Sequence, residues 1–488
     1  MSSFFVSRVT QLEYGKYIFN LVPSFCGIVV SSFALLKEIH YTMSLPAEFV
    51  TRIEKNFPDY QEFLTAITQE PTYSVRLNPR KHGETHINFG DKVTWCDMAF
   101  YLDHRPNYTL NPMFHAGLFY SQEASSMFLW RVLDTIKTHL PDEPIVLDLC
   151  AAPGGKSTLT ASWLDGHGLL VANEVIRSRA WILRENLLKW GYPNVIVTNC
   201  DPAALQKSNG LFDIVIVDAP CSGEGMFRKD TAAIGQWSVE NTKLCASRQR
   251  RILADIMSSV KEGGFLIYST CTFNPAENEE NMEWLMSQFQ LENICIKTFV
   301  GEGISIGNFN TGECYKFHFN KTRGEGFFIC VMRKLEPTTK SNKAKNTKKQ
   351  SVKLPDNLLL DTQKFLGIEV NGNISAIPKL HEATCHHIID TYNPLLCGIP
   401  IGSQTKKDFA PAAELPLSIE FNADSYPYVE LNENQAIKFL KGDMLTDINA
   451  PKGWNVVRFE GIALGFIKSI GNRINNYYPK DWRIRMRI

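Results

Sequence analysis

Between about Gly117 and Lys334, short apolar runs alternate with amphipathic stretches. "PIVLDLC" (144–150) is a nearly continuous apolar run, the pattern of a strand buried on both faces. "GLLVANE", "NVIVTN", "FDIVIVDAP" and "GGFLIYSTC" follow as four more. Between the second and third runs, Ile176, Ala180, Leu183, Leu187 and Trp190 repeat at steps of four and three, which predicts a helix with one apolar stripe. Gly191 and Pro193 then end it. Alternation of this kind predicts an α/β fold with a doubly wound, mostly parallel sheet.

The flanking regions read differently. "SLPAEFVTRIEKNF" and "DYQEFLTAIT" carry apolar residues at helical spacing, and "YSVRLNPRK" reads as a strand ending in a turn, so residues 43–115 form a small α+β module. Residues 116–334 hold the strand–helix alternation. Lys334 to Lys353 contains seven lysines, one glutamate and no aromatic residue; it cannot bury a core, and 335–353 is expected to be a linker. A further region, 354–435, precedes a C-terminal domain at 436–488. From Pro451 to Ile488, eight Lys/Arg stand against Glu460 and Asp481, interleaved with Trp454, Phe459, Phe466, Tyr477, Tyr478 and Trp482. Basic residues among aromatics suit RNA contact through phosphates and stacking, although the same pattern fits a small β-rich domain whose aromatics are core.

Tyr17 to Leu36 is twenty residues without a charge, long enough to span a bilayer. Pro23 and several polar residues interrupt it, and Met43 opens a soluble helix start, so residues 1–42 are expected to be a non-native or disordered extension and no membrane association is expected. The 488 residues imply several domains, and equal counts of Lys+Arg and Asp+Glu (51 each) argue against a wholly electrostatic nucleic-acid coat. The twelve cysteines include no C-x-x-C pair, so no metal site is expected, and free thiols point to a cytoplasmic protein.

Candidate chemistry begins at "LDLCAAPGGKSTL" (147–159). Gly155-Lys156-Ser157 suggests a phosphate-binding loop, but G-x-x-x-x-G-K-[ST] needs glycine where Cys150 stands, and Pro153 lacks an N–H to offer phosphate. A P-loop NTPase is therefore the weaker alternative. The loop suits an adenosyl cofactor better. Gly154 and Gly155 allow close backbone approach, Glu174 lies twenty residues beyond Gly154 where a ribose partner belongs, and Asp201 follows the third strand, toward the adenine edge.

"DAPCSGEGMFRKD" and "YSTCTFNPAENEEN" bring Asp218, Cys221 and Cys271 to the carboxyl ends of the fourth and fifth strands, where ligands gather in open α/β sheets. Two thiols and a carboxylate suit methylation of pyrimidine C5. A thiolate adding to C6 makes C5 nucleophilic toward a sulfonium methyl, and Asp218 near N3 would stabilise the developing charge. A nearby cation such as Lys156 favours the thiolate. Spacing alone leaves open which thiol attacks.

At these residues the chain resembles the Sun-family RNA cytosine-C5 methyltransferases, and most of all their bacterial ribosomal small-subunit methyltransferase F branch. The shared motifs are "LDLCAAPGGKS", "NE", "DAPCSGEGMFRKD", "YSTCTFNPAENE" and "TRGEGFF", with "GLFYSQEASSM" upstream and "GFIKSIGNRINNYYPKDWRIR" at the end. The resemblance implies a Rossmann-like class I methyltransferase domain and a C-terminal PUA-like RNA-binding domain. It implies S-adenosylmethionine held by Cys150, Ala151, Ala152, Pro153, Gly154, Gly155, Lys156, Glu174, Asp201 and Asp218. Cys271 would be the nucleophile, Cys221 the thiol that releases product, and Asp218 and Lys156 their catalytic companions. Arg76, with Asn78 and Lys81 beside it, and Lys468, Arg473 and Arg483 would contact RNA. The expected activity is C5 methylation of a cytosine in structured RNA, 16S ribosomal RNA ahead of transfer RNA, by a monomer.

Overall fold

A computed structural model describes residues 45–310, 312–337, 351–370, 372–404 and 408–486. The charge-free stretch 17–36 and most of the Lys-rich stretch therefore lie outside the described residues. The N-terminal module opens with α1 (Ala47–Asn56) and α2 (Tyr60–Ile67). Phe49 and Ile53, one turn apart, form the buried stripe of α1. A three-stranded antiparallel sheet follows, made of β1 (Tyr73–Leu77), β2 (Ala99–Leu102) and β3 (Phe119–Ser121) in the order β2-β1-β3.

The central region runs α3 (Leu129–Ile136), β4 (Ile145–Asp148), α4 (Gly155–Leu164), β5 (Leu169–Asn173), α5 (Arg177–Trp190), β6 (Val195–Thr198), β7 (Phe212–Asp218), α6 (Thr231–Gln236), α7 (Val239–Ile256), β8 (Val260–Thr270) and α8 (Glu279–Gln288). All five sequence-predicted strands are present, parallel, in the spatial order β6-β5-β4-β7-β8. Every residue of β5 and β6 is buried, as their apolar runs required. The chain moves outward from β4 to β5 and β6, then crosses back to β7 and β8. The crevice beyond the ends of β4 and β7 is thus the topological switch point, where open α/β sheets bind ligands.

Beyond β8 the sheet turns antiparallel through β9 (Leu291–Asn293), β10 (Ser305–Phe309), β11 (Gly312–Phe317) and β12 (Phe327–Lys334). The sheet is therefore mixed: a parallel centre with antiparallel edges. The strand-like apolar run around Cys330 is β12, whereas β10 and β11 carry polar residues among their apolar ones and give no such run in sequence. A second correction concerns α5. Ile176 precedes the helix and is 49% exposed, whereas Ala180, Leu183, Leu187 and Trp190 form the buried face. Gly191 ends the helix at φ +89, and a Cβ there would meet Leu417 O at 2.2 Å, so both conformation and space demand glycine.

After the Lys-rich stretch come β13 (Phe365–Val370), β14 (Asn373–Pro378), α9 (Glu382–Tyr392), β15 (Leu396–Cys397), β16 (Ile399–Gln404) and β17 (Phe409–Pro411). Four of these strands form a sheet of order β13-β14-β16-β17, while β15 pairs with β6 on the edge of the central sheet. The last unit contains β18 (Tyr428–Leu431), α10 (Glu433–Lys441), β19 (Gly453–Phe459), β20 (Ile462–Ser469) and β21 (Ile474–Asn476), sheet order β18-β19-β20-β21. Its aromatics divide. Phe459, Phe466, Tyr478 and Trp482 are core, while Tyr477 is 40% exposed and packs against the half-buried Trp454 at 4.4 Å. Among the described residues no helix is long and apolar enough to cross a membrane.

Candidate active site

The switch-point crevice is a cavity of about 690 Å³, bounded by the β4–α4 loop, the ends of β7 and β8, and the N-terminal module. Its lining includes Asp148, Cys150, Ala151, Ala152, Pro153, Gly155, Lys156, Asp218 and Cys271. The loop is held from behind. Ala151 N donates to Asn173 O (2.8 Å), Asn186 Nδ2 to Pro153 O (2.8 Å) and Arg179 Nη2 to Ala152 O (2.7 Å), before Gly154 (φ +118) turns the chain into α4. Burial pushes the Cys150 thiol far up, so it faces the cavity as a neutral group.

At the floor, Lys156 Nζ lies 2.8 Å from Asp218 Oδ2, and Ser269 Oγ donates to Asp218 Oδ1 at 2.7 Å. Burial opposes the Lys156 charge, but Asp218, and behind it Asp148 and Cys271, hold its pKa above the ordinary lysine value. Lys156 is therefore charged in the resting site, beside two acids and a thiol. Asp148 is wholly buried. Ser157 Oγ donates to its Oδ2 at 2.6 Å, while Oδ1 has no partner among the described residues. Burial, with help from Asp218, pushes the Asp148 carboxyl up to about 7. A buried acceptor without a donor on a cavity wall suits a cationic ligand.

The two strand-end thiols meet, with Cys221 Sγ 3.1 Å from Cys271 Sγ, and only Cys271 of the pair is on the cavity lining. The hydrogen bond to Cys271 and burial hold the Cys221 thiol well above the ordinary range. A residue that sequence reasoning missed, Glu277, joins the loops that carry them. It is wholly buried and accepts from Ser222 N (2.9 Å), Ser222 Oγ (2.5 Å), Gln249 Nε2 (3.0 Å) and Thr272 Oγ1 (3.4 Å), the residues after each cysteine included. Glu224 performs a similar task one layer out, accepting from Arg52 Nη2 (2.5 Å), Trp237 Nε1 (2.9 Å) and Phe273 N (3.1 Å) and so fastening α1 to both loops. The "GEG" of each remaining motif closes the wall, where Gly326 N donates to Gly225 O (3.2 Å) and Arg228 pairs with the buried Glu325. Glu277 carried a signal, since it lies inside "NPAENE"; its burial could not be read from that polar run.

Not every expected residue reaches the cavity. Glu174 is 3% exposed; its Oε1 accepts from Ile176 N (2.9 Å) and its Oε2 lies 3.5 Å from Arg179, the residue that lines the cavity in its stead. Asp201 is exposed and caps the 3₁₀ turn at Pro202–Ser208 through Ala203 N (3.0 Å). Neither Glu174 nor Asp201 is on the lining, nor is Gly154 or Cys221.

The expected RNA contacts of the N-terminal module are corrected. Arg76 is 1% exposed: its Nε donates to Gln122 Oε1 (2.9 Å), its Nη2 to Thr158 Oγ1 (2.6 Å), and its guanidinium lies 4.7 Å over Trp190. Asn78 Nδ2 donates to Trp190 O (2.9 Å) and Lys81 Nζ to Lys189 O (2.6 Å), covering the carbonyls left open at the end of α5. "RLNPRK" is thus the dock of the module on the central domain, with Arg76 and Lys81 spent on buried polar groups and helix-end carbonyls, while Arg80 stays exposed beside Asp165 at 3.4 Å. In the C-terminal unit, Arg473 is exposed at the β20–β21 turn. Lys468 lies 4.8 Å over Trp454 and 3.4 Å from Asp408. Arg483 is half-buried against Gly442, and its Nε is buried without a partner among the described residues.

Residues 136–333 match the family described as 16S rRNA methyltransferase RsmB/F, residues 45–124 the N-terminal domain of 16S rRNA methyltransferase RsmF, and residues 426–484 the methyltransferase RsmF PUA domain. The ribosomal RNA small subunit methyltransferase F of Vibrio cholerae serotype O1 is 30% identical over 479 residues, 91% of this chain and 98% of that one. Its counterpart from Shewanella loihica is 30% identical over 90% and 95%. Among solved structures, a methyltransferase homolog protein from Pyrococcus horikoshii is 28% identical with a TM-score of 0.51, covering 60% of this chain and 96% of that one. NSun6 from Pyrococcus horikoshii, solved with SFG, is 20% identical with a TM-score of 0.51, over 61% and 100%, and shares the fold. With its catalytic, N-terminal and PUA regions all matched, the chain belongs to the ribosomal RNA small subunit methyltransferase F family and is an RNA methyltransferase.

Proposed function

We propose that the chain methylates C5 of a cytosine in small-subunit ribosomal RNA, with S-adenosylmethionine as donor and a covalent bond between Cys271 and C6. The observation that carries the reading is the meeting of Cys271, Lys156 and Asp218 on one cavity wall, with Cys221 directly behind. Small-subunit RNA is favoured over transfer RNA because relatives 30% identical over nine-tenths of the chain are named for it. The residues that would hold the donor are those of the 150–156 loop and Asp218, which apart from Gly154 line the cavity; Glu174 and Asp201 stand off the lining at the ends of β5 and β6, and a donor would have to extend beyond the cavity to reach them. The Asp148 carboxyl, buried beside the 150–156 loop, carries a negative charge when ionised that a cationic donor would offset. When bound, S-adenosylmethionine supplies an electrophilic methyl carbon.

The chain's own residues then act on the base, which must leave its stack to enter the cavity. The Cys271 thiolate forms a bond to C6 while the Lys156–Asp218 couple delivers a proton to N3, leaving C5 electron-rich. After C5 is methylated, the Cys221 thiolate takes the C5 proton, the C6–S bond breaks with its electron pair leaving on Cys271 as a thiolate, and N3 returns its proton to the Lys156–Asp218 couple, which restores the ring. Timing follows from the thiol pair. The hydrogen bond to Cys271 and burial hold Cys221 as a thiol; once that sulfur is bonded to C6 the contact is lost, and Cys221 releases its proton to solvent and becomes the thiolate base that elimination requires. In the test, Cys271→Ala abolishes turnover and adduct, whereas Cys221→Ala accumulates an RNA adduct on a denaturing gel. An adduct with Cys271→Ala and none with Cys221→Ala reverses the two roles.

A further inference from the structure

With Arg76, Asn78 and Lys81 spent on internal contacts, the phosphates of a nucleotide entering the cavity need other partners. The cations around the crevice are otherwise committed: Lys156 to Asp218, Arg179 to Ala152 O and Glu174, Arg228 to Glu325. Two lining cations differ. Arg105, on the segment after β2, and Lys229, on the loop that also carries Cys221, are both exposed, and neither side chain makes a hydrogen bond or ion pair among the described residues. They come from two different parts of the chain and converge on the one cavity that holds Cys271. When a base is turned into a closed pocket its phosphodiesters stay outside, on either side of the entry, because burying an unpaired phosphate charge is prohibitive.

We propose that Arg105 and Lys229 bind the two phosphates flanking the target nucleotide and so position the extruded base over Cys271. The inference rests on the RNA cytosine reading above and adds to it the residues that set substrate register. Unsatisfied cations at the mouth attract the backbone, and the partnered ones within it leave the base edge to Asp218.

The test compares wild type, Arg105→Gln, Lys229→Gln, the double variant and Lys207→Gln, an exposed lysine outside the cavity. Binding to in vitro transcribed 16S RNA is measured across salt concentrations, with thermal melting and S-adenosylmethionine binding confirming folding. Each rim substitution is expected to reduce the slope of log affinity against log salt by about 0.7–0.9. The Michaelis constant for RNA should rise about threefold to tenfold, with kcat at saturating RNA within about twofold and donor affinity unchanged. Lys207→Gln should match wild type. Rim variants with wild-type slope and Michaelis constant, while wild type binds and methylates RNA, overturn this inference and leave the cytosine reading standing. Failure of the wild type to bind or methylate RNA overturns both.

Discussion

Asp148 offers the sharpest test of the site's electrostatics. Its carboxyl is wholly buried, carries one acceptor without a donor, and is pushed from the ordinary 3.8 up to about 7, mainly by burial. The folded state therefore holds this proton more tightly than the unfolded chain does. Its contribution to stability is complete below pH 3.8 and is lost as pH rises toward 7. At 1.36 kcal/mol per pH unit, a window of about three units amounts to at most about 4 kcal/mol. Asp148→Asn retains the shape and the acceptor for Ser157 Oγ and never ionises. Its new N–H group lacks a partner, which costs about 1–2 kcal/mol. Above pH 7 the variant should accordingly be more stable than wild type by about 2 kcal/mol, and at pH 5 equal or slightly less stable. Denaturant titrations at pH 5 and pH 8 measure both. The cost should appear in binding, since removing the carboxylate weakens a sulfonium ligand about tenfold or more and the neutral thioether S-adenosylhomocysteine less. A variant whose stability falls between pH 5 and 8 as steeply as wild type, or that loses both ligands equally, refutes the reasoning.

Other expectations follow from the same geometry. Glu277→Ala leaves Ser222, Gln249 and Thr272 without their shared acceptor, and should cost about 3–5 kcal/mol in denaturant titration and at least about 100-fold in kcat, with RNA affinity retained and Glu277→Gln recovering part of both. Gly191→Ala, whose Cβ would stand 2.2 Å from Leu417 O, should lower stability by more than about 3 kcal/mol or prevent soluble expression. Replacing Arg473 with Gln should flatten the salt dependence of RNA binding in the C-terminal unit, whereas Arg483→Gln, at a half-buried residue, should instead lower the melting temperature.

The parallel half of the central sheet was legible because burial on both faces leaves an unmistakable signature, the unbroken apolar run of β4 to β8. The antiparallel edge through β10 and β11 was not, because a strand with one solvated face shares its composition with loops. The groups proposed to react could be placed for another reason: Lys156, Asp218, Cys221 and Cys271 follow strands whose ends the pattern already located. Arg76 misled for the converse reason. A cation near a strand end looks exposed in sequence, and only the tertiary structure shows Gln122, Thr158 and Trp190 closing around it. Arg105 carried no periodic or motif-based signal that set it apart from any solvated charge, and Lys229, although inside "DAPCSGEGMFRKD", had nothing in that motif to mark it as unpaired at the cavity mouth.

The distribution of buried acids around the site explains how loops can hold reacting atoms so closely. Both thiols lie on turns, which lack the ladder of hydrogen bonds that fixes a strand. Glu277 supplies that ladder from a single carboxylate by bonding the residue after each cysteine, and Glu224 repeats the device toward α1. A carboxylate accepts several donors at once from different directions, which no amide or hydroxyl does as strongly, so one residue can tie together loops distant in sequence. The donor side of the cavity is built otherwise: there Asp148 keeps an unfilled acceptor and Cys150 a neutral thiol. Rigidity where bonds to the base form and break, and unmet polarity where a cationic ligand arrives, are what one cavity needs if it is to bind a charged donor and then hold two sulfurs 3.1 Å apart through a covalent cycle.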